Sequence, residues 1–216
     1  MDDYVNPDFK RVALLTIDVQ RDFTLPGAPL EIPGTLEVLP RIQYLVQSFR
    51  GRRKPIVHVV RLYLTDGSNA DPCRRRSIES GKPALVPGSE GAELMAELKP
   101  APDTRLDAER LLAGELQSVG SKEWVMYKPR WGAFFHTPLE QHLRGLGIDT
   151  VVVCGCNFPN CPRTTIYQAS ERDFRIVLAR DAMSQVYERG LAELEKIGVN
   201  LLTSVEIAER LGEAGG

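Results

Sequence analysis

Val12-Ala13-Leu14-Leu15-Thr16-Ile17 is followed at once by Asp18-Val19-Gln20-Arg21-Asp22-Phe23. The first six residues are almost continuously apolar, with no alternation between hydrophobic and polar positions. A strand that faces water on one side alternates; one covered on both faces does not, and parallel sheets are covered on both faces. Five further short runs share this character: Ile56–Val60, Trp124–Tyr127, Thr150–Val153, Arg175–Leu178 and Val199–Leu202. Helical patterns separate them. In Val38–Arg50 the residues Val38, Ile42, Leu45, Val46 and Phe49 recur at helical spacing, and Gly51 closes the segment. Pro138–Leu146, Cys161–Phe174, Glu188–Ile197 and Ser204–Leu211 complete the set, the last with a capping arrangement of Thr203, Ser204 and Glu206. Strand alternating with helix predicts an α/β fold, a three-layer α/β/α Rossmann-like sandwich around a six-stranded, mainly parallel sheet.

The 216 residues favour a single domain spanning 1–216. One stretch departs from the pattern: residues 64–120 are rich in Gly, Pro and charge, with short helical pieces near Glu90–Leu98 and Arg105–Leu112. So long an excursion reads either as a lid or oligomer contact or as plain irregular packing. Its Arg74-Arg75-Arg76 run reads as solvated or as an oligomer contact rather than as an anion site.

With 27 basic and 29 acidic residues the formal charge is −2, so nothing points to nucleic acid or to an anionic membrane as partner. No apolar run reaches the roughly 18–20 residues that cross a bilayer. The opening Met1-Asp2-Asp3-Tyr4-Val5-Asn6-Pro7-Asp8 has neither the basic region nor the apolar stretch of a secretory signal. Four cysteines are too few for a disulfide scaffold. The expectation is a cytoplasmic protein with free thiols that acts on a small molecule and assembles as a homo-oligomer, a dimer or tetramer.

In open parallel sheets ligands bind outside the carboxyl ends of the strands, where the strand order reverses. Three reactive side chains leave three different strands on that rim: Asp18 after the first, Lys128 after the third, and Cys161 in the turn after the fourth. Cys161 precedes Pro162, a residue favoured in the first turn of a helix, which places the thiol at a helix N-terminus where thiolate and oxyanion are both favoured. The alternative for any intracellular cysteine is an inert buried side chain, and that is the reading for Cys73 and Cys154. A carboxylate among apolar strand residues is suited to accept a thiol proton, or else caps a loop. Asp22 looks like such a cap. A lone strand-end lysine is usually a solvated charge, and only the trio gives Lys128 another role. Phe23, Arg61, Tyr63, Trp131 and Phe158 follow strand ends or flank the turn, and are candidate substrate-binding walls. Arg61 either holds a substrate carboxylate or carbonyl or pairs with Asp66 or Asp71.

These segments resemble a known family. Ile17-Asp18-Val19-Gln20-Arg21-Asp22-Phe23, then Lys128-Pro129-Arg130-Trp131-Gly132-Ala133-Phe134 continuing to Thr137 and Leu139, then Gly155 through Thr165 around Cys161, are similar in order and register to the motifs of the isochorismatase-like cysteine hydrolases. That family includes N-carbamoylsarcosine amidase, nicotinamidase, biuret and ureidoacrylate hydrolases and streptothricin hydrolase. The resemblance implies a catalytic triad of Asp18, Lys128 and Cys161. It also implies a cis peptide between Cys156 and Asn157 and an oxyanion hole from the backbone N–H groups of Asn157 and Cys161. The implied activity is cysteine-dependent hydrolysis of an amide or ureido C–N bond through a thioester, with no cofactor. Metal-binding members carry histidines shortly after the second strand. Here Arg61 to Ser68 contains none, so no metal is expected. Vinyl ether hydrolysis, as in isochorismatase proper, is the alternative within the family. A redox-active thiol using Cys161 near Cys156 is the alternative outside it.

Overall fold

Valine, isoleucine and leucine dominate the runs read above as strands, and each becomes one. The structure, a computed structural model, describes residues 4–81 and 83–214; Met1, Asp2 and Asp3 of the acidic opening, together with Lys82, Gly215 and Gly216, lie outside the described residues. In chain order the strands are β1 (Val12–Ile17), β2 (Ile56–Val60), β3 (Gln117–Gly120), β4 (Glu123–Tyr127), β5 (Thr150–Gly155), β6 (Arg175–Met183) and β7 (Asn200–Leu202). They form one seven-stranded sheet in the order β3-β4-β2-β1-β5-β6-β7, all parallel except β3 against β4. The expected six strands are therefore one short. The addition, β3, falls inside the stretch read as irregular. Its Gln-Ser-Val-Gly sequence carries no apolar run because the strand lies at the sheet edge and is half-exposed or exposed throughout.

The helices are α1 (Arg21–Thr24), α2 (Thr35–Gly51), α3 (Pro72–Glu79), α4 (Ala108–Leu112), α5 (Leu139–Gly145), α6 (Cys161–Ser170), α7 (Glu188–Glu195) and α8 (Ser204–Glu213). Every residue of β1, β2 and β5 is buried, as continuous hydrophobicity requires. Alternate side chains divide between two cores. Ala13, Leu15 and Ile17 of β1 pack with Leu139 and Leu143 of α5, Ile166 of α6 and Leu194 of α7. Val12 and Leu14 turn to the other side, against Ile42, Leu45 and Phe49 of α2 and Ile207 and Leu211 of α8. The α8 start has a complete capping box, Thr203 accepting from the Glu206 N–H and Glu206 from the Thr203 N–H.

Within residues 64–120 the expected Glu90–Leu98 helix is instead two short 3₁₀ turns, Glu90–Ala92 and Ala96–Leu98. Between them Leu94 bridges to Gln20. Helix α3 was not anticipated: Pro-Cys-Arg-Arg-Arg-Ser-Ile-Glu buries only Ile78, so it has no apolar stripe to read. Part of the stretch folds over the carboxyl end of the sheet, where Tyr63, Ala70, Ile78 and Leu85 pack with Phe23 and Cys156.

A polar chain runs through the α2 side of the sheet. Thr16 of β1 lies 2.8 Å from His58 Nδ1, His58 Nε2 lies 2.7 Å from Glu123 Oε1, and the Arg50 guanidinium forks onto Glu123 at 2.8 and 2.6 Å. The carboxylate accepts from Nε2–H, and Nδ1 pairs with the Thr16 hydroxyl. Burial pushes the Glu123 carboxyl upward, but the hydrogen bonds and charges of Arg50 and His58 outweigh it and hold the group at about 2, against an ordinary 4.5. A carboxyl lowered on folding stabilises the protein above its unfolded pKa and loses that contribution as pH falls towards the folded value. Stability should therefore fall between about pH 4.5 and pH 2. Glu123→Gln should lose on the order of 3 kcal/mol at neutral pH and flatten that acid limb, as read by urea unfolding across the range. An unchanged acid limb in the variant would remove Glu123 from the explanation.

Candidate active site

The strand order reverses between β1 and β5: from β1 the chain goes first to β2 and β4 on one side, and later to β5 on the other. The crevice above those two strands is therefore open to a ligand. The two strands approach so closely there that a Cβ on Gly155 would lie 2.2 Å from the Ile17 carbonyl oxygen; with φ at +120°, only glycine fits. The Cys156 N–H then donates to the Ile17 carbonyl at 2.9 Å. Ile17 is followed by Asp18, which leaves the strand in the left-handed region at φ 56°. That conformation is uncommon outside glycine but tolerated by Asp.

The in-line register of β1, β2 and β4 sets the next two groups. The Asp18 N–H donates to the Val59 carbonyl at 2.9 Å and the Lys128 N–H to the Val60 carbonyl at 3.0 Å, which brings residues 18 and 128 to the same level of the rim. Lys128 Nζ lies 2.9 Å from Asp18 Oδ2 and 3.3 Å from Cys161 Sγ. All three side chains are almost wholly buried. Cys161 opens α6, with Pro162 in its first turn. The ammonium thus stands between carboxylate and thiol, while the second carboxylate oxygen, Oδ1, is buried with no hydrogen-bond partner among the described residues. One oxygen is anchored and the other is free to receive a proton.

Electrostatics follow from this arrangement. Burial would push the Lys128 ammonium down, but Asp18 and Cys161 outweigh it and raise it above its ordinary value, so it stays charged. Burial and then the Asp18 charge raise the Cys161 thiol to about 12 even though Lys128 pulls the other way. At neutral pH the resting group is therefore a thiol.

The Cys156–Asn157 peptide is cis. In the turn that follows, Phe158 N–H donates to the Ser184 carbonyl, Asn160 N–H to the Asn157 carbonyl and Thr164 N–H to the Asn160 carbonyl. Among the described residues the N–H groups of Asn157 and Cys161 donate to no protein acceptor, and both residues line the same cavity. The Asn157 side chain is held separately, donating to Gln185 at 2.7 Å and accepting from Asn160 at 3.2 Å.

The cavity is tight and is lined by Asp18, Lys128, Cys161 and Asn157 with Phe23, Tyr63 and Trp131 among its walls. Arg61 also lines it, yet its guanidinium is already committed to Asp71 Oδ2 at 3.0 Å and to the Asn69 carbonyl at 3.1 Å. It also donates to the Lys128 carbonyl at 3.0 Å and the Tyr127 hydroxyl at 3.1 Å. Of the two possibilities for Arg61, the structure takes the pairing with Asp71. The Tyr63 hydroxyl donates to the same carboxylate oxygen at 3.0 Å, and burial raises its pKa. Phe158 corrects an expectation, because it does not reach the cavity. Its ring is wholly buried in the core, edge-on to Tyr187, where Gly190 has no Cβ to obstruct it. Asp22 is a cap, accepting from the Leu85 N–H at 2.6 Å with Gly91 packed against it. Gln20, adjacent in the same motif, donates to the Arg61 and Ala92 carbonyls and accepts from the Arg61 N–H.

Two wall residues were missed, Ile32 and Arg74. Arg74, on α3, lines the cavity with its guanidinium 5.9 Å from the Phe23 ring and 5.8 Å from the Trp131 ring. Reading the Arg74-Arg75-Arg76 run as solvated holds for the exposed Arg75 and Arg76 but not for Arg74. A helical reading of α3, which would have separated the faces of the run, was the missing signal. Among the described residues no group of three or more His, Cys, Asp and Glu side chains stands close enough to hold a metal ion. No described helix is long and apolar enough to cross a membrane.

Comparison with known proteins adds to this geometry. The family described as the Isochorismatase domain matches residues 12–205. The crystal structure of an isochorismatase family protein from Desulfovibrio vulgaris is similar with a TM-score of 0.80 and 32% identity, over 96% of this chain and 100% of that one. Maleamate amidohydrolase from Pseudomonas putida is 26% identical over 212 residues, 96% of this chain and 90% of the relative. A protein named as a probable inactive nicotinamidase from Arabidopsis thaliana is 27% identical over 209 residues, 94% of this chain and 97% of the relative.

If Asp18 raises the Cys161 thiol as the geometry requires, Asp18→Asn should lower the thiol's pKa from about 12, because it removes a negative charge and leaves Lys128 in place. Subtracting the ultraviolet thiolate titration of the Asp18→Asn, Cys161→Ala double variant isolates this one cysteine. A thiol that titrates at the same pH or higher in the Asp18→Asn variant would contradict the arrangement.

Proposed function

Because the chain belongs to the isochorismatase family, we propose that it is a cysteine hydrolase that cleaves an amide or ureido C–N bond of a small molecule. One observation carries the reading: Lys128 Nζ stands 2.9 Å from Asp18 and 3.3 Å from Cys161 at the mouth of a strand-order switch. A similar amidohydrolase acting on maleamate supports the choice of C–N bond.

In the proposed cycle Asp18 takes the thiol proton as Cys161 Sγ attacks the carbonyl carbon, and Lys128 holds the carboxylate and stabilises the sulfur while its charge develops. The carbonyl electrons move to oxygen, and the oxyanion is received by the Asn157 and Cys161 N–H groups, which have no protein acceptor of their own. Collapse breaks the C–N bond. Protonated Asp18 delivers its proton to the leaving nitrogen, which departs as ammonia or an amine and leaves an acyl thioester on Cys161. Water then gives a proton to Asp18 and its hydroxide to the acyl carbon. The thiolate leaves, recovers the proton and closes the cycle.

The deciding measurement is turnover by the unmodified chain, since one similar protein carries a name that marks it inactive. Ammonia release is measured from a panel of carboxamides and ureido compounds, alongside Cys161→Ala, Asp18→Asn and Lys128→Met. At least one compound should be hydrolysed, and each variant should lose on the order of 10⁴-fold in kcat with similar losses, as expected of groups acting as a unit. Mass spectrometry of the acid-quenched enzyme should find the acyl group on the peptide containing Cys161. No turnover of any compound, or a fully active Cys161→Ala, would overturn the reading.

A further inference from the structure

The charges around the cavity leave one cation over. Asp18 is paired with Lys128 at 2.9 Å and Arg61 with Asp71 at 3.0 Å. Arg74 lines the same cavity and forms no ion pair or side-chain hydrogen bond with any described residue. Its Nε is buried and has no hydrogen-bond partner among the described residues. A buried donor without an acceptor is costly, and native structures carry few. The surroundings make the cost larger. The guanidinium sits 5.9 and 5.8 Å from the ring centres of Phe23 and Trp131, apolar walls beside which a charge interaction is stronger than in open water.

The position of Arg74 is built, not incidental. Its backbone N–H donates to the Asp71 carbonyl at 2.9 Å as α3 begins, and the Asp71 side chain is gripped by Arg61 and Tyr63, both at 3.0 Å. The ion pair that consumes Arg61 therefore anchors the helix that carries Arg74. Its neighbours Arg75 and Arg76 are exposed, so one of three consecutive arginines is singled out.

We propose that Arg74 is a specificity-determining residue and that the substrate carries a carboxylate, received by the Arg74 guanidinium while its amide or ureido carbonyl lies at Cys161. The planar fork of arginine matches a carboxylate, and the acids around the cavity are already paired with Lys128 and Arg61, so none competes for it. The tightness of the cavity restricts such a substrate to a short chain between the two groups. The proposal rests on the hydrolase reading above, because it is Cys161 chemistry that defines the other end of the substrate.

The test compares three acid amides, oxamate, malonamate and succinamate, with the matching neutral diamides oxamide, malonamide and succinamide. The expected result is a higher kcat/KM for at least one acid amide than for its diamide. In Arg74→Met that ratio should fall on the order of 10–100-fold, mainly through KM, with partial recovery in Arg74→Lys, which keeps the charge without the fork. Arg75→Met should leave the ratio where it was. A ratio that moves less than about threefold in Arg74→Met, or a wild type that prefers every diamide, overturns the role of Arg74 while leaving the hydrolase reading intact. If the wild type releases ammonia from none of the six, the hydrolase reading lacks support from these compounds and binding decides. The acid amides should then slow alkylation of Cys161 by iodoacetamide in the wild type but not in Arg74→Met, and equal protection in both overturns the proposal. Should Arg74→Met melt well below the wild type, Arg74→Lys and Arg74→Gln carry the comparison.

Discussion

Everything in the site depends on one buried ammonium. Lys128 is almost wholly buried, and a cation there is tolerable only while a carboxylate faces it. Asp18 supplies that charge at 2.9 Å, and the thiol of Cys161 completes the set at 3.3 Å. The three groups come from the ends of two strands, β1 and β4, and from the turn after β5. Their spacing is thus only as good as the sheet register, which pairs Ile17 with Val59 and Gly155 and Val60 with Tyr127. A slip of one residue in any of these pairings would turn a charge into an apolar core and an apolar side chain into the crevice. The two-sided hydrophobic burial of β1, β2 and β5 therefore fixes the position of these three groups as well as the fold.

The same economy governs the outer wall. Arg61 and Asp71 cancel each other's charge, while Tyr63 donates to the same Asp71 oxygen and the Asn69 carbonyl accepts from Arg61. Gln20 ties the end of β2 to Ala92 with three hydrogen bonds. These groups do no chemistry in the proposed cycle. They hold the loops that line the cavity.

Much of this was legible in the sequence because burial writes itself into composition. β1, β2, β4 and β5 are continuous apolar runs; Asp18 and Lys128 directly follow two of them and Cys161 lies in the turn after a third, so all three could be placed on one rim of the sheet from position. The edge strand β3 was not legible, since Gln-Ser-Val-Gly is half-exposed and its pairing with β4 is a matter of tertiary position. Helix α3 escaped for a similar reason, with Ile78 its only buried residue. Phe158 shows a different limit. A residue just past a strand end can turn into the crevice or back into the core. The choice here depends on the space left by Gly190, more than thirty positions later in the chain. Arg61 was readable as two outcomes, and only the folded position of Asp71 decided between them.

Helix α3 contributes little to the core and much to the wall. Its fixed points are Asp71, held by Arg61 and Tyr63, and the buried Ile78; the residues between them face the cavity or solvent. The groups proposed to break the bond lie on a different part of the chain, wedged into the sheet rim. On the proposed roles, recognition and reaction are physically separable inventions. A descendant of this chain would then change which molecules it accepts by exchanging a single side chain on an eight-residue helix, while the sheet that positions the sulfur is inherited unaltered.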